Sequence, residues 1–167
     1  MGLDQYFYEK RYLRMKAKAL KNESDRPSIR VEAYTDIRGQ KHDAEIIDGV
    51  SSLIRQVGYF RKANEIQAFI EDKYAADFGG DINCKDVYLT KDVIMELYDI
   101  CKELLAIKGK KKFTEVAAEK LPTCSGFFFG STEYDEYYKE DLRQYVNMVD
   151  KMDLDNENID YYYHCWY

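Results

Sequence analysis

The stretch behind Thr90 limits most strongly what this chain can fold into: Val93, Ile94, Leu97, Ile100, Cys101, Leu104 and Leu105 recur at helical spacing until Gly109. Residues three and four apart share one face of a helix, and threonine is a residue type that caps helix N-termini. The spacing predicts a helix over Lys91 to Lys108 whose apolar stripe lies in the core. Such a stripe needs a second layer to pack on, and strand-like segments supply it. Leu3 to Leu13 is rich in aromatics, and Ile29 to Ile37 alternates Ile29, Val31, Ala33 and Thr35 with Arg30, Glu32, Tyr34 and Asp36. Asp86 to Leu89 reads as a short strand, and Ile159 to Tyr167 closes the chain in strand-forming residues.

Four further helices are expected. One runs through Val50, Leu53, Ile54 and Val57 to a stop at Gly58, and a second carries Ala63, Ile66, Phe69, Ile70 and Tyr74 before Phe78 to Asp81 breaks it. A third covers Thr114 to Leu121 and is stopped by Pro122. The last starts at Ser131 or Thr132, where Thr132 and Asp135 stand at capping-box spacing, and turns Tyr134, Tyr138, Leu142, Tyr145, Val149 and Met152 to one face. The basic run Lys108 to Lys112 reads as a solvated loop that complements the end of the preceding helix. The strands lack the regular βα rhythm of a parallel sheet, so the expectation is a single α+β domain over residues 1–167, a small, mainly antiparallel sheet packed with four to five helices.

A chain of 167 residues can bury a core without metals or disulfides. No apolar run approaches the roughly 18 residues of a membrane span, and Met1 to Tyr6 lacks the basic and then apolar order of a secretion signal, so the reading is cytoplasmic with no membrane partner. Cys84, Cys101, Cys124 and Cys165 show no C-x-x-C spacing, which favours reduced thiols. The 16 tyrosines offer contact surfaces that bury a ring and still hydrogen-bond at the hydroxyl, as interfaces do. Charge is segregated as well: Ser131 to Tyr167 holds 10 acidic and 3 basic residues, net −7, leaving +1 for the rest of a chain that carries −6. Nucleic-acid binding needs a basic face, so direct nucleic-acid partners are not expected.

The stretch LPTCSGFFFGSTEYDEYYKEDL, Leu121 to Leu142, reads as the rim of a site. Gly126 and Gly130 are separated by three residues and no lysine follows, so this is not the phosphate loop of a nucleotide hydrolase. Backbone N–H groups at Gly130 to Glu133 would face an anion if they opened a helix, with Glu133, Asp135 and Glu136 already answering that dipole. His42 and His164 are the two histidines, and His164 reads as a packed terminal residue, which leaves nucleophilic catalysis with few bases to draw on. Asp153, Asp155 and Glu157 imitate a calcium loop, but Asn158 stands where glycine is needed and His164 where glutamate is needed. Arg61, Lys62 and Asn64 at a helix entrance beside Tyr59 and Phe60 can grip an anion and stack a ring, or belong to a surface ion-pair network in which Gln67 finds its own partner. No catalytic set, metal-ligand set or cofactor motif is present.

Taken in order, MGLDQYFYEKR, VGYFRKANEIQAF, LPTCSGFFFGSTEYDEYYKEDL and DYYYHCWY resemble a widespread family of uncharacterised small proteins encoded by tailed bacteriophages and prophages. The resemblance spans nearly the whole chain and implies a setting, the cytoplasm of an infected bacterium, without implying an activity. Family members often carry histidine at the place of Gln67 and end closer to YYYQSSW, so a histidine-dependent reaction is not expected of this chain.

Three readings follow. In the first, the protein inhibits or modulates a host protein, such as a defence nuclease with a basic groove, through an acidic, tyrosine-rich surface of Glu133, Tyr134, Asp135, Glu136, Tyr137 and Glu140. In the second, Tyr59, Phe60, Arg61, Lys62 and Asn64 meet Ser125, Gly126, Gly130, Ser131, Thr132 and Trp166 around a nucleotide-like anion. In the third, an enzyme acting on nucleotides or nucleic acid uses Asp135, Glu136 and Glu140 as carboxylates. Oligomeric state is left open.

Overall fold

The computed structural model of the 167-residue chain describes residues 2–13, 29–31, 34–35, 41–42, 45–47 and 50–167. The chain divides into two compact units, Met1–Glu9 with Arg55–Tyr167, and Lys10–Ile54. Its elements in chain order are β1 (Asp4–Tyr12), β2 (Ile29–Val31), β3 (Tyr34–Thr35), β4 (Lys41–His42), β5 (Glu45–Ile47), β6 (Ser52–Arg61), α1 (Asn64–Tyr74), β7 (Asp86–Leu89), α2 (Lys91–Ala106), α3 (Lys110–Lys120), α4 (Glu136–Val149) and β8 (Ile159–Trp166). In the smaller unit β2 pairs antiparallel with β5, Ile29 opposite Ile47, and β3 with β4, Tyr34 opposite His42. The expected strand over Ile29 to Ile37 is thus seen as β2 and β3, and its remaining positions lie outside the described residues.

The larger unit is α+β, a four-stranded antiparallel sheet in the order β6-β1-β8-β7 with four helices. Alternation explains the sheet's two faces. Gln5, Phe7 and Glu9 of β1, Val87 and Leu89 of β7, and Ile159, Tyr161, Tyr163 and Cys165 of β8 point into the core. Tyr6, Tyr8, Tyr59, Tyr88 and Tyr162 take the other face, with Tyr6 5.2 Å from Tyr59 and Tyr88 5.7 Å from Tyr162 between ring centres. Among the described residues, the strand tyrosines are therefore divided between the core and the outer face. Phe7 sits at the centre of the buried aromatic cluster, edge-on to Phe60 at 5.5 Å, Tyr145 at 5.7 Å and Tyr163 at 5.1 Å.

Helix α2 follows the sequence expectation closely: Thr90 Oγ1 accepts from the Val93 N–H at 3.3 Å, and Ile94, Leu97, Cys101 and Leu104 are buried. It packs against α4, where Leu142, Tyr145 and Val149 are buried and the Tyr145 hydroxyl donates to the Ile94 carbonyl at 3.3 Å. Full burial of each such aliphatic or aromatic side chain is worth about 2 kcal/mol relative to exposure.

Three local expectations are corrected. Val50 to Val57 is not a helix, because Ser52 to Arg61 forms β6. Its spacing fits a helix, but Leu53 and Ile54 are exposed, so no stripe is being buried. Gly58 is then no helix stop but a close approach: a Cβ there would lie 2.2 Å from Met148 Sδ. Lys110, Lys111 and Lys112 form the first turn of α3 rather than a loop, entered through Gly109 at φ 93°. Helix α4 starts at Glu136 with Asp135 as its cap, not at Ser131 or Thr132.

Candidate functional site

The corner between β6 and α1 organises the site. Lys62 takes a left-handed φ of 65°, and its N–H donates to the Leu3 carbonyl at 2.8 Å, so the chain turns sharply out of the sheet into α1. Asn64, fully buried in the first turn of α1, holds the 124–131 loop: its Nδ2 donates to the carbonyls of Phe129 at 3.0 Å and Ser131 at 2.7 Å, and its Oδ1 accepts from the Cys124 N–H at 3.1 Å. Gly130, at φ 86°, closes over the stem of Lys62, and a Cβ at that position would lie 3.1 Å from Lys62 Cβ. A side chain at position 130 would strain the backbone and crowd the Lys62 stem.

This arrangement opens a cleft of about 280 Å³ in the larger unit. Arg61, Lys62 and Glu65 supply one wall, Thr123, Gly130, Ser131 and Glu133 a second, and Asp135, Tyr137, Tyr138, Glu140 and Asp141 of α4 and its cap the third. Asp135 Oδ1 accepts from the N–H groups of Tyr137 at 2.9 Å and Tyr138 at 3.2 Å. Two of the helix-end donors are therefore occupied, and the expected anion contact at Gly130 to Glu133 has no helix terminus behind it.

Electrostatically the cleft is divided. Arg61 leans toward Asp4, 4.0 Å away. Glu65 is 2 % exposed and its Oε1 has no hydrogen-bond partner. Burial first, and Asp141 second, push the Glu65 carboxyl up to about 8. Burial first, then Glu140 and Asp135, raise Asp141 to about 7. At neutral pH Glu65 thus keeps its proton for the most part and Asp141 is in mid-titration, in a cleft that Arg61 and Lys62 also line. Outside it, Glu136 pairs with Arg143 at 2.6 Å and Lys139 at 3.5 Å, and Arg143 also reaches Glu140 of the cleft wall at 3.0 Å. The Arg143 and Lys139 pairs hold the Glu136 carboxyl below its usual range.

The residues expected for two separate surfaces meet in this one cleft: Arg61, Lys62, Gly130 and Ser131 from the ligand set, Glu133, Asp135, Tyr137 and Glu140 from the partner set. Others lie elsewhere. Phe60 is core, and Asn64 is a buried clamp rather than an anion grip. Tyr59 sits on the outer sheet face, its hydroxyl donating to Asp4 Oδ1 at 2.5 Å. Ser125 and Gly126 lie on the loop, where a Cβ on Gly126 would press on the Phe129 ring at 2.8 Å. The Thr132 carbonyl accepts the Thr123 hydroxyl at 3.1 Å, and Trp166 ends β8, part exposed. Tyr134 packs on Tyr138 at 5.1 Å, and Glu136 is committed to its ion pairs.

Glu65, Asp141 and Thr123 carry no role in the sequence reading, and Tyr138 enters it only as a residue of the last helix's packed face. Asp141 stands one helical turn beyond Tyr137 and could have been found by that spacing. Gln67, expected to need a partner, has several: Nε2 donates to Glu71 at 2.8 Å and lies 3.5 Å from Cys165 Sγ, and Oε1 accepts from the Tyr163 hydroxyl. Cys124, pushed up to about 11 by burial first and then by Glu71 and Glu65, stays a thiol at neutral pH and is no nucleophile. Among the described residues, no group of three or more His, Cys, Asp or Glu side chains could hold a metal ion.

Comparison of the chain with protein-family models, curated proteins and solved structures gives no match. Among the described residues, no helix is long and apolar enough to cross a membrane.

Proposed function

We propose that the chain is a binding protein made in an infected bacterium, and that it inhibits or modulates a host protein by docking a basic surface onto this cleft and its rim. The observation that carries the reading is the convergence of Glu133, Asp135, Tyr137, Glu140 and Asp141 on one cleft, beside a loop whose Phe127 is 95 % exposed. An aromatic left in solvent between glycine-bounded turns is the kind of anchor around which interfaces concentrate their energy. Tyr137, 83 % exposed, offers a second. The acidic excess of residues 131–167, net −7, would steer a basic partner toward them. The acidic side chains of Glu133, Asp135 and Glu140 lining the cleft weigh against a nucleotide-like anion in the same space, although Arg61 and Lys62 stand at its edge.

Native mass spectrometry of the tagged protein recovered from its bacterial host tests this. The expected outcome is a stoichiometric complex with a host protein that is retained by the native chain and lost by Phe127→Ser with Glu133→Lys and Glu140→Lys. A complex that survives all three changes sinks the docking surface. A small added mass that disappears with Arg61→Ala supports an anion binder instead.

A further inference from the structure

Glu65 is the one feature of the cleft that a docking surface alone does not require. A buried carboxyl oxygen without a hydrogen-bond partner costs about 1–3 kcal/mol, and the polar side chains beside it in α1, Asn64 and Gln67, are fully engaged. Its neighbours offer no relief. Asp141 and Tyr138 of α4 line the cleft with it, and these two, with Cys101 of α2 and Cys124 of the loop, feel its charge; none of them is a cation. Arg61 and Lys62 line the same cleft, yet neither pairs with Glu65 or Asp141 among the described residues. Glu133, Asp135 and Glu140 add further negative charge at the entrance.

We propose that the Glu65 and Asp141 carboxyls form a receptor for a guanidinium group, carried by an arginine side chain of the partner protein. This rests on the docking reading above and names the chemistry of its anchor. Guanidinium fits better than ammonium because its planar fork presents five donors, enough for two carboxyls at once, and its face stacks on a tyrosine ring such as Tyr137. Asp141 is half-buried and meets the incoming group first; rotation of the Glu65 side chain then turns its free oxygen to the second edge. A cation seated there stabilises the ionised forms of both carboxyls, so binding releases protons and strengthens as pH rises toward 8.

The test uses the full chain and three blocked tripeptides, Gly-Arg-Gly, Gly-Lys-Gly and Gly-citrulline-Gly, titrated by NMR between pH 6 and 8. The arginine peptide is expected to shift the amide resonances of Glu65 and Asp141 and to bind at least about fivefold more tightly than the lysine peptide, with the uncharged citrulline peptide inert. Its affinity should rise by up to about tenfold per pH unit while a single proton is displaced. Glu65→Gln, which keeps the shape of the protonated acid and so should fold, is expected to flatten the pH dependence above about 7 and weaken binding about tenfold; Asp141→Asn should weaken it similarly and flatten the dependence below about 7. Equal binding of arginine and citrulline peptides, or an arginine affinity unmoved by both substitutions, overturns the receptor. If the host-protein complex forms and is lost with Glu133→Lys and Glu140→Lys while the arginine peptide shows no binding, the receptor falls and the docking surface stands. If the arginine peptide binds and the complex is indifferent to those changes, the receptor stands and the docking surface falls.

Discussion

Three neighbouring residues in the first turn of α1 are buried and polar, and they have been treated differently by the fold. Asn64 and Gln67 spend their amides on the 124–131 loop, Tyr163, Glu71 and Cys165, whereas Glu65 between them keeps an oxygen without a partner. Satisfied burial rigidifies and specifies; unsatisfied burial at a cleft stores a demand that a ligand can meet. The same turn of helix therefore shows where this molecule holds itself together and where it is ready to hold something else.

Among single substitutions, removing the satisfied side should cost most. Asn64→Leu leaves the Phe129 and Ser131 carbonyls and the Cys124 N–H without their partner, and stability to urea is expected to fall by about 4 kcal/mol. A loss under about 1 kcal/mol would mean the loop is held by other means. The pH response probes the unsatisfied side. Folding raises the Glu65 carboxyl from its ordinary range to about 8, so the folded state resists ionisation that the unfolded chain accepts. Stability is then full below pH about 4 and declines as pH climbs to about 8, by at most about 1.4 kcal/mol per unit for each group and on the order of 5 kcal/mol from Glu65, with Asp141 contributing up to about 7. Thermal melts of the native chain and of Glu65→Gln across that window check it, since the variant's curve should be flatter.

Tyr163→Phe takes one hydroxyl from the satisfied network and orphans Gln67 Oε1, while Gln5 keeps its bond to the Ala63 carbonyl at 3.0 Å. A loss of about 2 kcal/mol in urea unfolding is expected. Smallest of all, Phe127→Ser should leave the unfolding free energy within about 0.5 kcal/mol of the native chain, because the ring contributes little to the core. A larger shift would show that the loop tip is a structural element and not an anchor for a partner.

What is local was legible in the sequence. Thr90 and the stripe behind it specify α2, and Asp86–Leu89 is a strand as its residues predict, because caps and periods act within a few residues. The start of α4 is not local. Ser131, Thr132 and Asp135 all qualify as caps, and the choice falls on Asp135 because Asn64 holds the Ser131 carbonyl and Thr123 holds the Thr132 carbonyl, which keeps that segment out of the helix. Strand β6 reads as a helix for a related reason: its helical spacing is a coincidence that only pairing within the sheet overrides. In the cleft, Arg61, Lys62 and Tyr137 are legible as exposed residues of telling chemistry, but Glu65 is not. Its burial is made by segments distant in the chain, the loop that Asn64 holds and α4, which line the cleft with it.

The Asn64 clamp also fixes how this part of the protein can move. With its amide bonded to backbone groups at both ends of the 124–131 loop, the loop cannot lift while the first turn of α1 stays folded. Their amide protons should exchange with solvent as one cooperative unit, at one rate, and slow together when the cleft is filled.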